Sequence, residues 1–213
     1  MRMRLHRLMT LLALAGGFVL AAPPAQAHPH VWITSASELI YAPDGSITGV
    51  RHTWTFDDMF TTYALQGIET KTKGVYTREQ LAPLAKDNVE NLKEFGFFTF
   101  AKPDGKKQKF EEPVDYFLEY KDSALTLHFT LPLKAPVKPK QLGLDIFDPS
   151  FFIDFKFEDK DPVKLVGAPE TCQLKVQRPG EADVKKLTEE MITSGDQSNY
   201  GAIYANKIAV TCP

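Results

Sequence analysis

The stretch VWITSASELIYAPDGSITGVRHTWTF, residues 31–56, decides the fold. Two runs rich in β-branched and aromatic residues, 31–41 and 46–56, flank Pro43-Asp44-Gly45, a turn sequence, so the segment reads as a β-hairpin. In the second run Val50, His52, Trp54 and Phe56 share one face, and Arg51, Thr53, Thr55 and Asp57 the other. With Asp44-Gly45 as a two-residue turn, Pro43 opposes Ser46, and the same register sets His52 against Ser37, Asp57 against Trp32 and Asp58 against Val31. His30 then lies about 23 Å along the strand from Ser37, at 3.3 Å per residue. That separation rules His52 out as a partner of His30, and on a face with Trp54 and Phe56 it reads as a hydrogen-bonded core histidine.

Outward from the hairpin, Asp57-Asp58 opens a short helix through Leu65, because Asx side chains cap the free N–H groups of a first turn. Thr77 with Gln80 is a capping-box pattern; Leu81, Leu84, Ala85, Val89, Leu92 and Phe95 follow at helical spacing, and Gly96 stands at the C-cap. Pro83 either kinks this helix or starts a second one. Past Gly96 the period changes to two, with strands expected near 108–110, 114–120, 124–131, 142–147, 151–157, 163–166 and 173–176. A surface helix follows over 181–194, a polar loop over 195–201 and a last strand over 203–210. The pattern is α+β: a largely antiparallel sheet with segregated helices, in a single domain over residues 28–213.

Residues 1–27 read as a cleaved signal peptide. Arg2, Arg4 and Arg7 form a positive start, residues 8–22 an apolar run shorter than the ~20 residues that span a bilayer, and Ala25-Gln26-Ala27 a small-residue cleavage site. The mature chain, beginning at His28 with no membrane span, is expected in the periplasm. Its 43% hydrophobic and 24% charged residues are ordinary for a globular domain. The formal charge of -2 carries no basic stripe, which excludes nucleic acid as a partner. Cys172 and Cys212 read as one disulfide, natural in an oxidising compartment and worth roughly 3–4 kcal/mol.

The start His28-Pro29-His30-Val31-Trp32, then Trp54-Thr55-Phe56-Asp57, the run NVENLKEFGFF over 88–98, Phe147-Asp148-Pro149-Ser150-Phe151-Phe152 and Gly167-Ala168-Pro169 resemble an exported bacterial family, domain-of-unknown-function family one thousand and seven. The likeness spans the mature chain. It implies a periplasmic component of an uncharacterised ABC-type transport system, often beside nickel/cobalt permeases of the NicO type. It carries no established reaction and no catalytic residue. The family often has a calcium-loop-like stretch, matched here by residues 69–80. Glu69 keeps position one and Gly74 the sharp turn, but Lys71 and Lys73 replace ligands and Gln80 replaces the bidentate carboxylate. A degenerate loop without calcium is the expectation; a plain connecting loop is the alternative.

Metal chemistry is expected at the new N-terminus. An α-amine, His28 and His30, with a carboxylate from Asp57 or Asp58, form a nitrogen-rich set suited to nickel, cobalt, zinc or copper. Pro29 lacks the amide N–H that a square-planar terminal site deprotonates. His128, between Leu127 and Phe129, reads as a solvated or interfacial histidine. No nucleophile elbow, P-loop, H-E-x-x-H or CxxC is present. The functions in view are a periplasmic accessory or binding component linked to transition-metal transport, working with a membrane permease; a copper-dependent redox enzyme using the N-terminal His; and a metal-free structural partner of a permease.

Overall fold

The computed structural model describes residues 29–72, 74–194 and 199–213. Strands β1 (Val31–Tyr41) and β2 (Ile47–Phe56) form the expected hairpin, with His52 opposite Ser37. The register is right although the turn is not the two-residue turn expected. Ala42 N–H donates to Ser46 O at 2.8 Å, closing a three-residue loop in which Gly45 takes φ 80° and the Asp44 carboxylate accepts from both Ser46 N–H and Ser46 Oγ. Tyr41 therefore opposes Ile47, one residue short of the expected sum. Thr48 then stands unpaired in a bulge, after which Ile40 opposes Gly49 and the expected pairing returns. The two departures cancel, so the faces of β2 are unchanged.

β2 also pairs antiparallel with β5 (Ala124–Val137), which pairs with β4 (Val114–Lys121) through a two-residue turn at Asp122-Ser123. Both turn residues have positive φ, the geometry that suits the twist of a hairpin. On its other side β1 carries two short parallel strands in tandem, β7 (Ile153–Phe157) and β8 (Val163–Val166). These complete a six-stranded sheet. A second sheet, ordered β3 (Thr99–Pro103), β6 (Gln141–Ile146), β10 (Asn206–Thr211) and β9 (Gln173–Gln177), is antiparallel throughout. The mixed fold with mostly antiparallel sheet follows the expected class.

Helix α1 (Asp58–Ala64) is capped by Asp57, and α2 (Arg78–Leu92) by the Thr77–Gln80 capping box. α2 runs through Pro83 as one element, so no second helix starts there. Glu181–Ser194 is helical as expected and forms α3. Two strand expectations shift. Residues 108–110 contribute only an isolated bridge, Phe110 to Leu133. The last strand starts at Asn206 because a 3-10 turn over Tyr200–Tyr204 precedes it.

The smaller sheet covers part of the inner face of the larger one, with Leu39, Ile47 and Val50 meeting Ala101, Leu142 and Leu144. α2 buries Leu81, Ala85 and Val89 and packs on β4, while Thr61 of α1 accepts from Leu125 N–H through Oγ1. Cys172 and Cys212 lie at bonding distance, their Cα atoms 4.2 Å apart. Among the described residues no helix is long and apolar enough to cross a membrane.

His52 is the polar pin between the sheets. Thr99 Oγ1 donates its single proton to Phe97 O at 2.7 Å, so it must accept from His52 Nε2–H at 3.2 Å. Nδ1 is then the unprotonated nitrogen and accepts from Ser37 Oγ at 2.9 Å. Both nitrogens of a neutral ring are satisfied, as a core histidine requires. Complete burial pushes its pKa down to about 3. As pH falls below 6.5 the unfolded chain takes up a proton that the folded chain refuses until about pH 3. Stability contributed by this residue is thus full above pH 6.5 and is lost below it, at up to about 1.4 kcal/mol per pH unit. Chemical denaturation across that window should show His52→Gln with a flatter pH slope than wild type, by close to one proton; identical slopes would show that His52 titrates normally.

Candidate functional site

Of the N-terminal residues singled out above, His28 lies outside the described residues. His30 is held just before β1: its backbone N–H donates to Phe152 O at 2.8 Å, and its exposed ring lies 4.8 Å from the Phe152 ring. Asp57 pairs with Trp32, as the register predicts, through Asp57 N–H to Trp32 O at 3.0 Å. Its carboxylate is engaged as well: Oδ2 accepts from Trp32 N–H, and Oδ1 from Met59 N–H and Phe60 N–H, at 2.8 to 2.9 Å. Three of the roughly four acceptor positions of a carboxylate are taken. Asp57 is therefore a helix cap and strand clasp before it is anything else. Asp58 does not oppose Val31, because the chain has already turned into α1; it stands exposed in the first helical turn. Among the described residues no three His, Cys, Asp or Glu side chains are grouped to hold a metal ion.

A cavity that sequence reasoning missed lies beside this terminus. It has a volume of about 520 Å³ and is walled by Val31, Ile33, Trp54 and Phe56 of the sheet, Leu84, Asn88 and Leu92 of α2, and the loop that ends at Ile153. Asp148 builds that loop. Only 4% exposed, it accepts through Oδ1 from Ser150 N–H and Ser150 Oγ and through Oδ2 from Ile153 N–H, which makes it the former of the turn that Pro149 begins. Gly201 is required where the 3-10 turn crosses: a Cβ there would fall 1.6 Å from Asp148 O. Phe151 is drawn away to stack on Tyr204 at 3.9 Å, and Phe155 and Phe157 go to the core. Phe152, 46% exposed, is left lining the cavity. Only the Phe-rich run hinted at this in the sequence, and most of that run is core.

On the outer face of the larger sheet, His128 stacks on Phe117 at 4.5 Å, and the Arg78 guanidinium lies over the same Phe117 ring, 3.7 Å from its centroid. Its Nε2 is 3.6 Å from Glu119 Oε2, too far for a hydrogen bond. Partial burial lowers its pKa, against the opposing pull of Glu119. This is a half-buried interfacial histidine, as expected.

The calcium-type loop is closed by protein atoms. Gln80 Oε1 accepts from Thr77 N–H at 2.8 Å, and Gln80 Nε2 donates to Glu69 O at 2.9 Å, so the last residue of the loop clasps the first directly. Gly74 takes φ 76°, the turn conformation expected of it; Lys73 lies outside the described residues. A side-chain amide thus bridges the two loop ends. Replacing Gln80 by Ala should cost about 1 kcal/mol in thermal unfolding through loss of the capping box, and wild type should show no calcium-dependent rise in melting temperature; a rise abolished by Glu69→Ala would contradict this reading.

Comparison with known proteins finds uncharacterised relatives. The chain is 23% identical over 197 residues to an uncharacterised protein of Haemophilus influenzae, covering 87% of this chain and 91% of that one. An uncharacterised 15.5 kDa protein in the trpE 3′ region of Spirochaeta aurantia is 29% identical over 93 residues, 43% of this chain and 66% of the other. Among solved structures, Biomphalaria glabrata acetylcholine-binding protein type 1 aligns over 89% of this chain and 88% of its own, at 10% identity and a TM-score of 0.37, a likeness too weak to carry an argument. The family model described as "Protein of unknown function (DUF1007)" matches residues 13–212, nearly the whole sequence, and the chain belongs to that family.

Proposed function

We propose that the chain is an exported, periplasmic accessory or binding component linked to transition-metal transport, which offers its N-terminal histidines to the ion and works beside a membrane permease. The observation that carries this reading is the anchoring of His30. Its backbone is tied to Phe152 O and its ring lies against the Phe152 ring, so one imidazole is held at a fixed point at the end of the sheet. Cleavage after Ala27 would add the α-amine and His28 next to it. Two imidazoles and an amine favour nickel, cobalt, copper or zinc over calcium or magnesium. With the Asp57 carboxylate engaged in capping, Asp58 is the better carboxylate to complete the set, and water fills what remains. The transport setting rests on the family resemblance, and the exported setting on residues 1–27; the Cys172–Cys212 pair is compatible with an oxidising compartment.

The test uses protein purified from periplasm with its native terminus, verified by intact mass. Calorimetric titration with zinc and nickel should show saturable binding that tightens as pH rises, because the nitrogen ligands must shed protons. His28→Ala, or one extra residue before His28, should weaken binding roughly tenfold or more. Equal affinity in all three proteins would remove the N-terminal site and the proposal that rests on it.

A further inference from the structure

Two stretches far apart in the sequence, residues 102–109 and 134–140, meet at the hairpin-tip end of the larger sheet. Lys106 N–H donates to Pro103 O and Gln108 N–H to Ala101 O, which folds the first stretch back along β3. Its last residue then reaches β5: Lys134 N–H donates to Lys109 O at 3.2 Å, next to the antiparallel bridge of Phe110 with Leu133. The second stretch passes the hairpin tip, where Lys138 Nζ donates to Asp44 O at 2.7 Å. It returns beside the first stretch, where Asp104 N–H donates to Gln141 O and the Asp104 carboxylate accepts from Gln141 N–H. Ile47 opposite Val137 sets this end the full length of β1, about 33 Å, from the end that carries His30.

Seven lysines stand on these two stretches against one acid, Asp104. All seven are exposed. Lys102 pairs with Asp145 and Lys138 is engaged at the tip. Lys106, Lys107, Lys109, Lys134 and Lys140 form no ion pair among the described residues. Of the acids next in the chain, Glu112 is taken by Lys93, and Glu111 is exposed. The placement of Lys109 directly across from Lys134 is costly in itself. Opposed residues of an antiparallel pair point to one face, and like charges there destabilise the pairing. A chain with a formal charge of -2 thus concentrates uncompensated positive charge at one end.

We infer that this end is a docking surface for an anionic lipid bilayer, whose phosphate groups supply the negative charge that the lysines lack. Charge complementarity carries the inference, and the type of base selects the partner. Every base on the two stretches is lysine, while the arginines among the described residues, Arg51, Arg78 and Arg178, lie elsewhere. A lysine ammonium is a point charge on a flexible stem and suits a fluid headgroup layer; the planar fork of arginine suits carboxylates held in fixed geometry on a protein. Docked in this way, the chain keeps the His30 end of β1 away from the lipid. The surface is independent of the metal-linked reading, and no metal enters its test.

The experiment is co-sedimentation of the mature chain with vesicles of phosphatidylglycerol and phosphatidylcholine in equal parts, and with vesicles of phosphatidylcholine alone. The anionic vesicles should bind the chain at low salt and release it as salt rises, while the neutral vesicles leave it in solution. Lys107→Gln, Lys109→Gln and Lys134→Gln combined should weaken binding roughly tenfold or more, since each lysine near an anionic surface is worth about fivefold. The same three positions changed to Arg keep the charge and should bind as wild type does. Lys86→Gln, Lys121→Gln and Lys156→Gln combined remove equal charge elsewhere and should bind within about twofold of wild type, because charges beyond a Debye length from the lipid are screened. No binding to anionic vesicles, or an equal loss in both glutamine triples, overturns the inference. So does capture of the chain by soluble polyglutamate with none by vesicles, which would assign the surface to an acidic protein.

Discussion

The structure depends on a single unpaired residue. Thr48 bulges from β2 where it pairs with β1, and at the same point the pairing with β5 jumps from Ile47 opposite Val137 to Gly49 opposite Pro132. Next to it Gly49 lets β2 approach β5 so closely that a Cβ would lie 2.6 Å from Leu131 O. Because side chains alternate with a period of two, a slip of one residue would turn His52, Trp54 and Phe56 out to solvent and Arg51, Thr53 and Thr55 into the core. The bulge prevents that slip. It holds the His52 pin under Thr99 and places Trp54 where it packs edge-on against Phe129 at 4.8 Å and Phe155 at 4.9 Å.

From that register the candidate sites follow. β1 is a central strand whose outer edge must be covered, and β7 and β8 do so in parallel, joined by a loop whose Pro162 O accepts from Ser37 N–H. The segment that delivers β7, built around Asp148, also carries the Phe152 carbonyl that anchors His30. The N-terminal histidine and the apolar cavity therefore share one wall. Phe152 meets His30 on one side and lines the cavity on the other. The same covering problem, one helix and a smaller sheet over six strands, explains why there is a cavity at all.

Local signals were legible in the sequence, and long-range ones were not. Period-two alternation and Pro43-Asp44-Gly45 specify the hairpin, and Asp57, Thr77 and Gln80 specify helix starts through hydrogen bonds that span only a few residues. The register survived a misread turn only because the bulge at Thr48 offset it, and nothing in the composition of Ile47-Thr48-Gly49 except the glycine marks a bulge. Asp58 does not oppose Val31 because strand pairing stops at the helix cap, Asp57, one residue earlier. Parallel pairing of β1 with β7 joins residues more than a hundred positions apart and has no local signature. The cavity is harder still: it needs β1, β2, α2 and the Asp148 loop assembled before it exists. A ligand template makes Glu69 and Gln80 remnants of ion ligands, while their actual contact, an amide to a carbonyl, is a packing detail that such a template does not contain.

The close approach of β2 to β5 at Gly49 holds the register of the larger sheet. Thermal unfolding of Gly49→Ala beside Gly143→Ala compares the same added methyl in two strands. At Gly143 the new atom would meet nothing nearer than 4.0 Å. Gly49→Ala should lose about 1–3 kcal/mol, since backbone rather than a flexible side chain must give way, seen as a fall of roughly 2–4 °C per kcal/mol, whereas Gly143→Ala should stay within about 0.5 kcal/mol of wild type. Equal melting temperatures for the two variants would contradict the claim that this contact sets the register of the larger sheet.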